Sequence, residues 1–187
     1  MRVNIDEIKE SGLRRSWDVT REVLDGMVAG ERAGYRAGAP LHVEAKLEKI
    51  ERRVFLEGHA RASLACECGR CLAPVSVDVP VDFSLTLVPD DEYGDAPGGA
   101  EERETSRVAG SFDPDVAEEE RFDGKVIDLD PILREQLLLA LPGYPVCKES
   151  CRGLCPSCGA NLNERACGCD PHVPDPRWAK LKDMKLE

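Results

Sequence analysis

Cys155 and Cys158 are separated by Pro156 and Ser157 and followed by Gly159, in a stretch from Cys147 to Cys169 that holds six of the chain's nine cysteines. A Cys-x-x-Cys turn closed by glycine lets two thiolates grip one ion while the backbone behind them relaxes. This is the spacing of a zinc knuckle. A second pair, Cys68 and Cys71, flanks Gly69-Arg70 far upstream. Structural zinc takes four ligands in a tetrahedron, so eight of the thiols divide into two sets of four. Cys155, Cys158, Cys167 and Cys169, with two, eight and one residues between successive thiols, make a self-contained set. Cys68 and Cys71, joined by Cys147 and Cys151, make the other. Cys66 is left over and continues the face of Ala60, Ala62 and Leu64, as a small buried hydrophobe does. Spacing also permits a division in which Cys147 or Cys151 joins Cys155 and Cys158 in one site.

Other chemistry finds little support. A redox reading of Cys68-Gly69-Arg70-Cys71 wants a helix N-terminus to lower a thiol pKa, whereas a proline and a run of strand pattern follow here. His42, His59 and His172 are scattered, and no Gly-rich phosphate loop, G-x-S-x-G or H-E-x-x-H occurs. Four cysteines per site leave no open coordination position for a metalloenzyme. The expectation is a protein without catalytic activity and without a small-molecule substrate.

The elements that must position these thiols follow from periodicity. After Asp18, the residues Val19, Val23, Leu24, Met27 and Val28 recur at helical spacing and predict a short helix. From Leu41 the period becomes two, through Leu41, Val43, Ala45 and Leu47, then Val54 and Leu56, then Ala60, Ala62 and Leu64. A last run alternates from Val75 to Leu87. These predict an antiparallel sheet, with Cys68 and Cys71 in a hairpin connection. Pro80 cannot donate to a ladder and predicts an edge or a bulge. Near the C-terminal part, Asp130 can cap a helix starting at Pro131, whose apolar face is Ile132, Leu133, Leu137, Ala140 and Leu141; Pro142-Gly143 ends it. That helix delivers the chain into Cys147 and Cys151. Packing it on the sheet would bring the cysteine groups together.

The fold class expected is therefore α+β: an antiparallel β-sheet core with a packed helix and a C-terminal cysteine-rich, zinc-binding segment. Residues 1–89 form the N-terminal helix and sheet, 90–124 an acidic flexible linker, and 125–187 the helix and knuckle tail. The linker assignment rests on composition, since residues 90–123 hold 13 Asp and Glu against 3 Lys and Arg. They carry nearly all of the chain's net charge of −11. The N-terminus lacks a secretory apolar region, and no apolar run approaches the roughly twenty residues that span a bilayer. A cytoplasmic protein with reduced thiols and no membrane partner is expected.

CGRCLAPV after a strand run, VIDLDPILREQLLLALPGYPVC, CRGLCPSCGANLN and DPRWAKL, in that order, resemble the YceD family of large ribosomal RNA subunit accumulation proteins over roughly residues 40–181. Cys68, Arg70 and Cys71 match its first cysteine motif, and Asp128, Leu129, Pro131, Glu135 and Pro142 its helix motif. Cys147, Cys151, Cys155, Cys158, Gly159, Asn161, Leu162 and Asn163 resemble the form with a C-terminal zinc knuckle. The resemblance implies a bacterial or organellar ribosome-biogenesis factor, without known catalysis, that supports accumulation of large-subunit ribosomal RNA. The implied partner is that RNA or a large-subunit ribosomal protein. For RNA, Arg152, Arg165 and the tail from Arg177 to Lys185 are the candidate phosphate contacts. The alternative is an adaptor or chaperone whose acidic linker engages a basic ribosomal protein.

Overall fold

Alternating apolar and polar residues produce strands with one face to bury, and here nearly every buried strand residue falls on the same face. The structure, a computed structural model, describes residues 1–93 and 119–169. In chain order its elements are β1 (Arg2–Asn4), a 3-10 turn (Ile5–Glu7), β2 (Leu13–Val19), α1 (Arg21–Met27), β3 (Arg36–Ala37), β4 (Leu41–Ile50), β5 (Arg53–Glu67), β6 (Pro74–Pro89), α2 (Asp90–Tyr93), β7 (Glu119–Phe122), β8 (Val126–Asp128) and α3 (Leu129–Ala140).

The main sheet runs β2-β4-β5-β6-β7, with β3 pairing β5 beyond the end of β4. Its centre is the long antiparallel pair of β5 and β6, in register from Val54 against Leu87 to Glu67 against Pro74. The buried face carries Leu41, Val43, Leu47, Val54, Leu56, Leu64, Val79, Val81 and Leu87. Leu24, Met27 and Val28 of the α1 region and Leu133 and Leu137 of α3 cover one half. Leu129 and Ile132 of α3 cover the other, with Val3 and Ile127 of the small β1–β8 sheet. Phe83 packs against both halves, its ring lying over Gly58, where an added Cβ would come within 2.1 Å. The opposite face is polar, with rows such as Arg14, Lys46, Glu57 and Ser84.

The class is α+β as expected, with four differences in detail. The sheet is mixed, because β7 pairs parallel with the end of β6 from Thr86 to Pro89. Parallel strands need a crossover of a dozen or more residues, and the acidic segment supplies that length. The segment expected to be linker over 90–124 thus ends in a strand, while its residues 94–118 lie outside the described residues. Within α1 Val23 is 51% exposed, and Val19, grouped with that helix from the sequence, instead ends an edge strand, Leu13–Val19. Arg14, Arg15 and Ser16 mask its alternation, which an edge strand with a solvated side tolerates. Finally, Asp128 and not Asp130 caps α3, its carboxylate accepting from the Asp130 N–H at 3.1 Å. The helix starts two residues earlier because β8 ends directly in the cap. Pro80 lies on a stretch of β6 that has β5 on one side and, among the described residues, no strand on the other.

Candidate metal centre

The β5–β6 connection is a tight turn held by Cys68 N–H donating to the Ala73 carbonyl at 2.8 Å and Leu72 N–H to the Cys68 carbonyl at 2.9 Å. Leu72 closes it with a φ of 59°, in the left-handed region. The chain leaving α3 is drawn back onto this turn. Tyr35 donates its hydroxyl to the Pro142 carbonyl at 2.6 Å, Tyr144 donates its hydroxyl to the Gly69 carbonyl at 2.7 Å, and Gly69 N–H donates to the Pro145 carbonyl at 2.8 Å. Cys147 and Cys151 arrive beside Cys68 and Cys71 as a result. The Sγ atoms of all four lie within 4.8 Å of one another. Cys68 Sγ is 3.9 Å from Cys151 Sγ, and Cys71 Sγ is 3.7 Å from Cys147 Sγ. None is a disulfide.

Arg70 clamps the group from outside. One guanidinium nitrogen, Nη1, donates to the carbonyls of Glu149 and Cys151, both at 3.0 Å. Its own carbonyl accepts from Leu154 N–H at 3.0 Å, tying in the next segment. Gly153 permits that approach: its φ is +74°, and a Cβ there would sit 3.0 Å from the Arg70 oxygen.

The second group grows from a small hairpin bridged at Leu154 and Asn161. Cys155 N–H donates to the Ala160 carbonyl and Gly159 N–H to the Cys155 carbonyl, both at 2.8 Å. Gly159, at φ +71°, takes the left-handed conformation that glycine adopts without a steric penalty. Cys155, Cys158, Cys167 and Cys169 bring their Sγ atoms within 4.8 Å of one another.

The electrostatics of both groups suit a cation. In the first, burial opposes ionisation of Cys68, yet N–H groups of Cys147, Cys71 and Arg70 outweigh it and hold that thiol down at about 6. Burial and the neighbouring thiols push Cys147 up to about 12. In the second, the N–H groups of Cys158 and Ser157 hold Cys155 down at about 6, while Cys158 and Cys167 push Cys169 up to about 12. Four thiols this close cannot all ionise without a positive charge among them. A dication removes that conflict, so either group could hold a metal ion.

A family model described as large ribosomal RNA subunit accumulation protein YceD matches residues 56–185, a span that contains both cysteine groups and α3. The chain belongs to the YceD family. Relatives agree with this. A YceD homologue of Arabidopsis thaliana, named large ribosomal RNA subunit accumulation protein YCED homolog 1, chloroplastic, is 24% identical over 196 residues, covering 98% of this chain and 58% of its own length. Its counterpart in Zea mays is 28% identical over 164 residues, covering 78% and 55%. An uncharacterized protein of Mycobacterium tuberculosis is 34% identical over 148 residues, covering 79% and 63%. The chain therefore spans about three-fifths of the length of these curated relatives. No solved structure matches it.

The structure separates the eight thiols into the two fours described, and the mixed group of Cys147 or Cys151 with Cys155 and Cys158 does not form. Cys66 belongs to neither and is buried in the main core. Arg152 and Arg165 are exposed on the knuckle, while the tail from Arg177 to Lys185 lies outside the described residues. Sequence reading missed what Arg70, Tyr144 and Asn163 do here. The family motif contained Arg70 and Asn163, but nothing local to them indicated their partners. Among the described residues no helix is long and apolar enough to cross a membrane.

Proposed function

We propose that this YceD protein is a non-enzymatic ribosome-biogenesis factor that supports accumulation of large-subunit ribosomal RNA, with two zinc ions as structural staples. The functional part rests on one observation, the family match over residues 56–185. Geometry supports the staples. Zinc bound to thiolates at about 2.3 Å in a tetrahedron separates its sulfurs by about 3.8 Å. The sulfur separations of 3.7 and 3.9 Å in the first group fit that value and are far too long for a disulfide. Cys68, Cys71, Cys147 and Cys151 would hold the proximal ion, and Cys155, Cys158, Cys167 and Cys169 the distal one. All-sulfur donor sets favour zinc over hard cations. Bound there, zinc would supply cross-linking between the sheet, the end of α3 and the knuckle.

The partner we favour is the RNA itself, met by Arg152 and Arg165 on the exposed knuckle. A second reading, a basic ribosomal protein met by the acidic segment, is favoured by the charge of residues 90–123. Changing Asp95, Glu101, Glu102, Glu104, Asp113 and Asp115 to their amides, which keeps the length of the crossover into β7, separates them. Removing negative charge strengthens binding to large-subunit RNA under the first reading, and affinity falls steeply with salt. Under the second it weakens binding to the ribosomal protein. In cells, loss of the protein should lower large-subunit RNA relative to small-subunit RNA; an unchanged ratio would overturn the function proposed.

A further inference from the structure

We propose that Asn163 is a shared outer partner that couples the two cysteine groups, so that filling the distal group tightens metal binding at the proximal one. This rests on the metal reading above. Asn163 belongs by sequence to the distal group, lying between Cys158 and Cys167. Its side chain serves the other group. Nδ2 donates to the Sγ of Cys151 at 3.3 Å and to Oδ1 of Asn161 at 2.9 Å, while Oδ1 accepts from the Arg152 N–H at 2.9 Å. The orientation of the amide is determined by that last bond, because a backbone N–H can only donate and must meet the oxygen. The N–H side therefore faces the sulfur.

An N–H aimed at a ligand sulfur favours the thiolate and fixes the direction from which it meets the ion. What holds Asn163 in place is the distal loop. Its N–H donates to Asn161 Oδ1 at 3.0 Å, and the Asn161 carbonyl accepts from the N–H groups of Glu164 and Arg165 at 3.2 Å. Beyond Leu154, this loop contributes no residue to the hydrophobic clusters of the fold. Its shape depends on the four distal thiols being drawn together. Emptying the distal group should release Asn163 from Cys151.

Leu154 provides a second tie, packed against Cys68, Cys71 and Cys151 and bonded to the Arg70 carbonyl. Unlike Asn163, it touches no ligand sulfur through a hydrogen bond. Because coupling between binding sites is reciprocal, filling the proximal group must raise affinity at the distal one by the same factor.

The test uses the full chain loaded with cadmium-113, whose NMR signals resolve the two sites, titrated with a competing chelator. Two resonances are expected. Cys158→Ser, which empties the distal site, should lower proximal affinity by about 10-fold, the scale typical of losing an outer partner of a ligand. Asn163→Asp, which keeps the acceptor for Arg152 and loses the donor, should lower it at least as much with the distal site intact, and Asn163→Ala by a similar factor. In the Cys158→Ser background either Asn163 change should add little. Proximal affinity unchanged in Cys158→Ser or in Asn163→Ala, or losses that simply add in the double variant, would overturn the coupling while leaving two sites standing. Fewer than two resonances in the unaltered protein would instead overturn the two-site reading and the coupling with it.

Discussion

Gly69 lies beneath the ring of Tyr144, so close that a Cβ at position 69 would sit 2.6 Å from the ring. The Tyr144 hydroxyl returns a hydrogen bond to the Gly69 carbonyl at 2.7 Å. This stacking fastens the end of α3 to the cysteine turn. Gly69→Ala must push the ring away, and because Tyr144 is 60% exposed the cost is that of losing its hydrogen bond to the Gly69 carbonyl, about 0.5–1.5 kcal/mol. Reduced stability in chemical denaturation and weaker metal retention by the proximal group are expected together. Unchanged metal retention would mean that Cys147 and Cys151 reach the turn without this contact.

Arg70 can be tested as a clamp rather than a phosphate contact. Lysine would keep the charge that an RNA phosphate meets, but its shorter side chain does not carry a donor to the Nη1 position that serves both carbonyls. Arg70→Lys should therefore destabilise the region by about 0.5–1.5 kcal/mol, the net worth of a hydrogen bond, since the Glu149 acceptor is exposed and the Cys151 one part-buried. RNA affinity measured on the folded variant should be unaltered. A loss of RNA binding with full stability would reverse that assignment.

Metal content distinguishes the cysteines. Protein purified without added metal should contain two zinc ions per chain by elemental analysis, and Cys71→Ser should reduce this to one. Cys158→Ser should also leave one, with the sheet signal in circular dichroism retained, since the distal loop lies outside the main core. A structural zinc contributes on the order of 10 kcal/mol that the loop cannot replace. Cys66→Ser should keep both ions while lowering stability, because Cys66 is buried in the main core.

His42 and Asp18 face each other across the β2–β4 pair, with Nδ1 2.7 Å from the carboxylate. The hydrogen bond to Asp18, with the charges of Asp18 and Glu44, raises His42 above the ordinary 6.5. A raised histidine contributes stability that is fully present below the unfolded value and is lost as pH rises through the folded one. The pair is exposed, so the effect is small and screened by salt. An NMR titration should place the His42 midpoint above that of a free histidine, and Asp18→Asn should bring it down. No movement in Asp18→Asn would remove this contact as the cause.

Periodicity in the sequence determined the central strands, because a strand with one buried face must alternate, and β4, β5 and β6 do so wherever they are predicted. Where burial is one-sided and weak the signal fails, as in the edge strand β2 with its exposed Arg14, Arg15 and Ser16. The parallel docking of β7 was likewise invisible, since pairing across a long crossover leaves no local mark. Cysteine spacing made the distal group legible because all four thiols fall within one short loop, where chain geometry alone limits the choices. The proximal group joins residues 76 and 83 positions apart, and arithmetic could only suggest it. The tertiary structure decided it, through the packing of α3 on the sheet and the bonds from Tyr144, Gly69 and Arg70 that aim the chain. The role of Asn163 belongs wholly to that level. A hydrogen bond from one site's loop to the other site's sulfur exists only once both have been folded against each other.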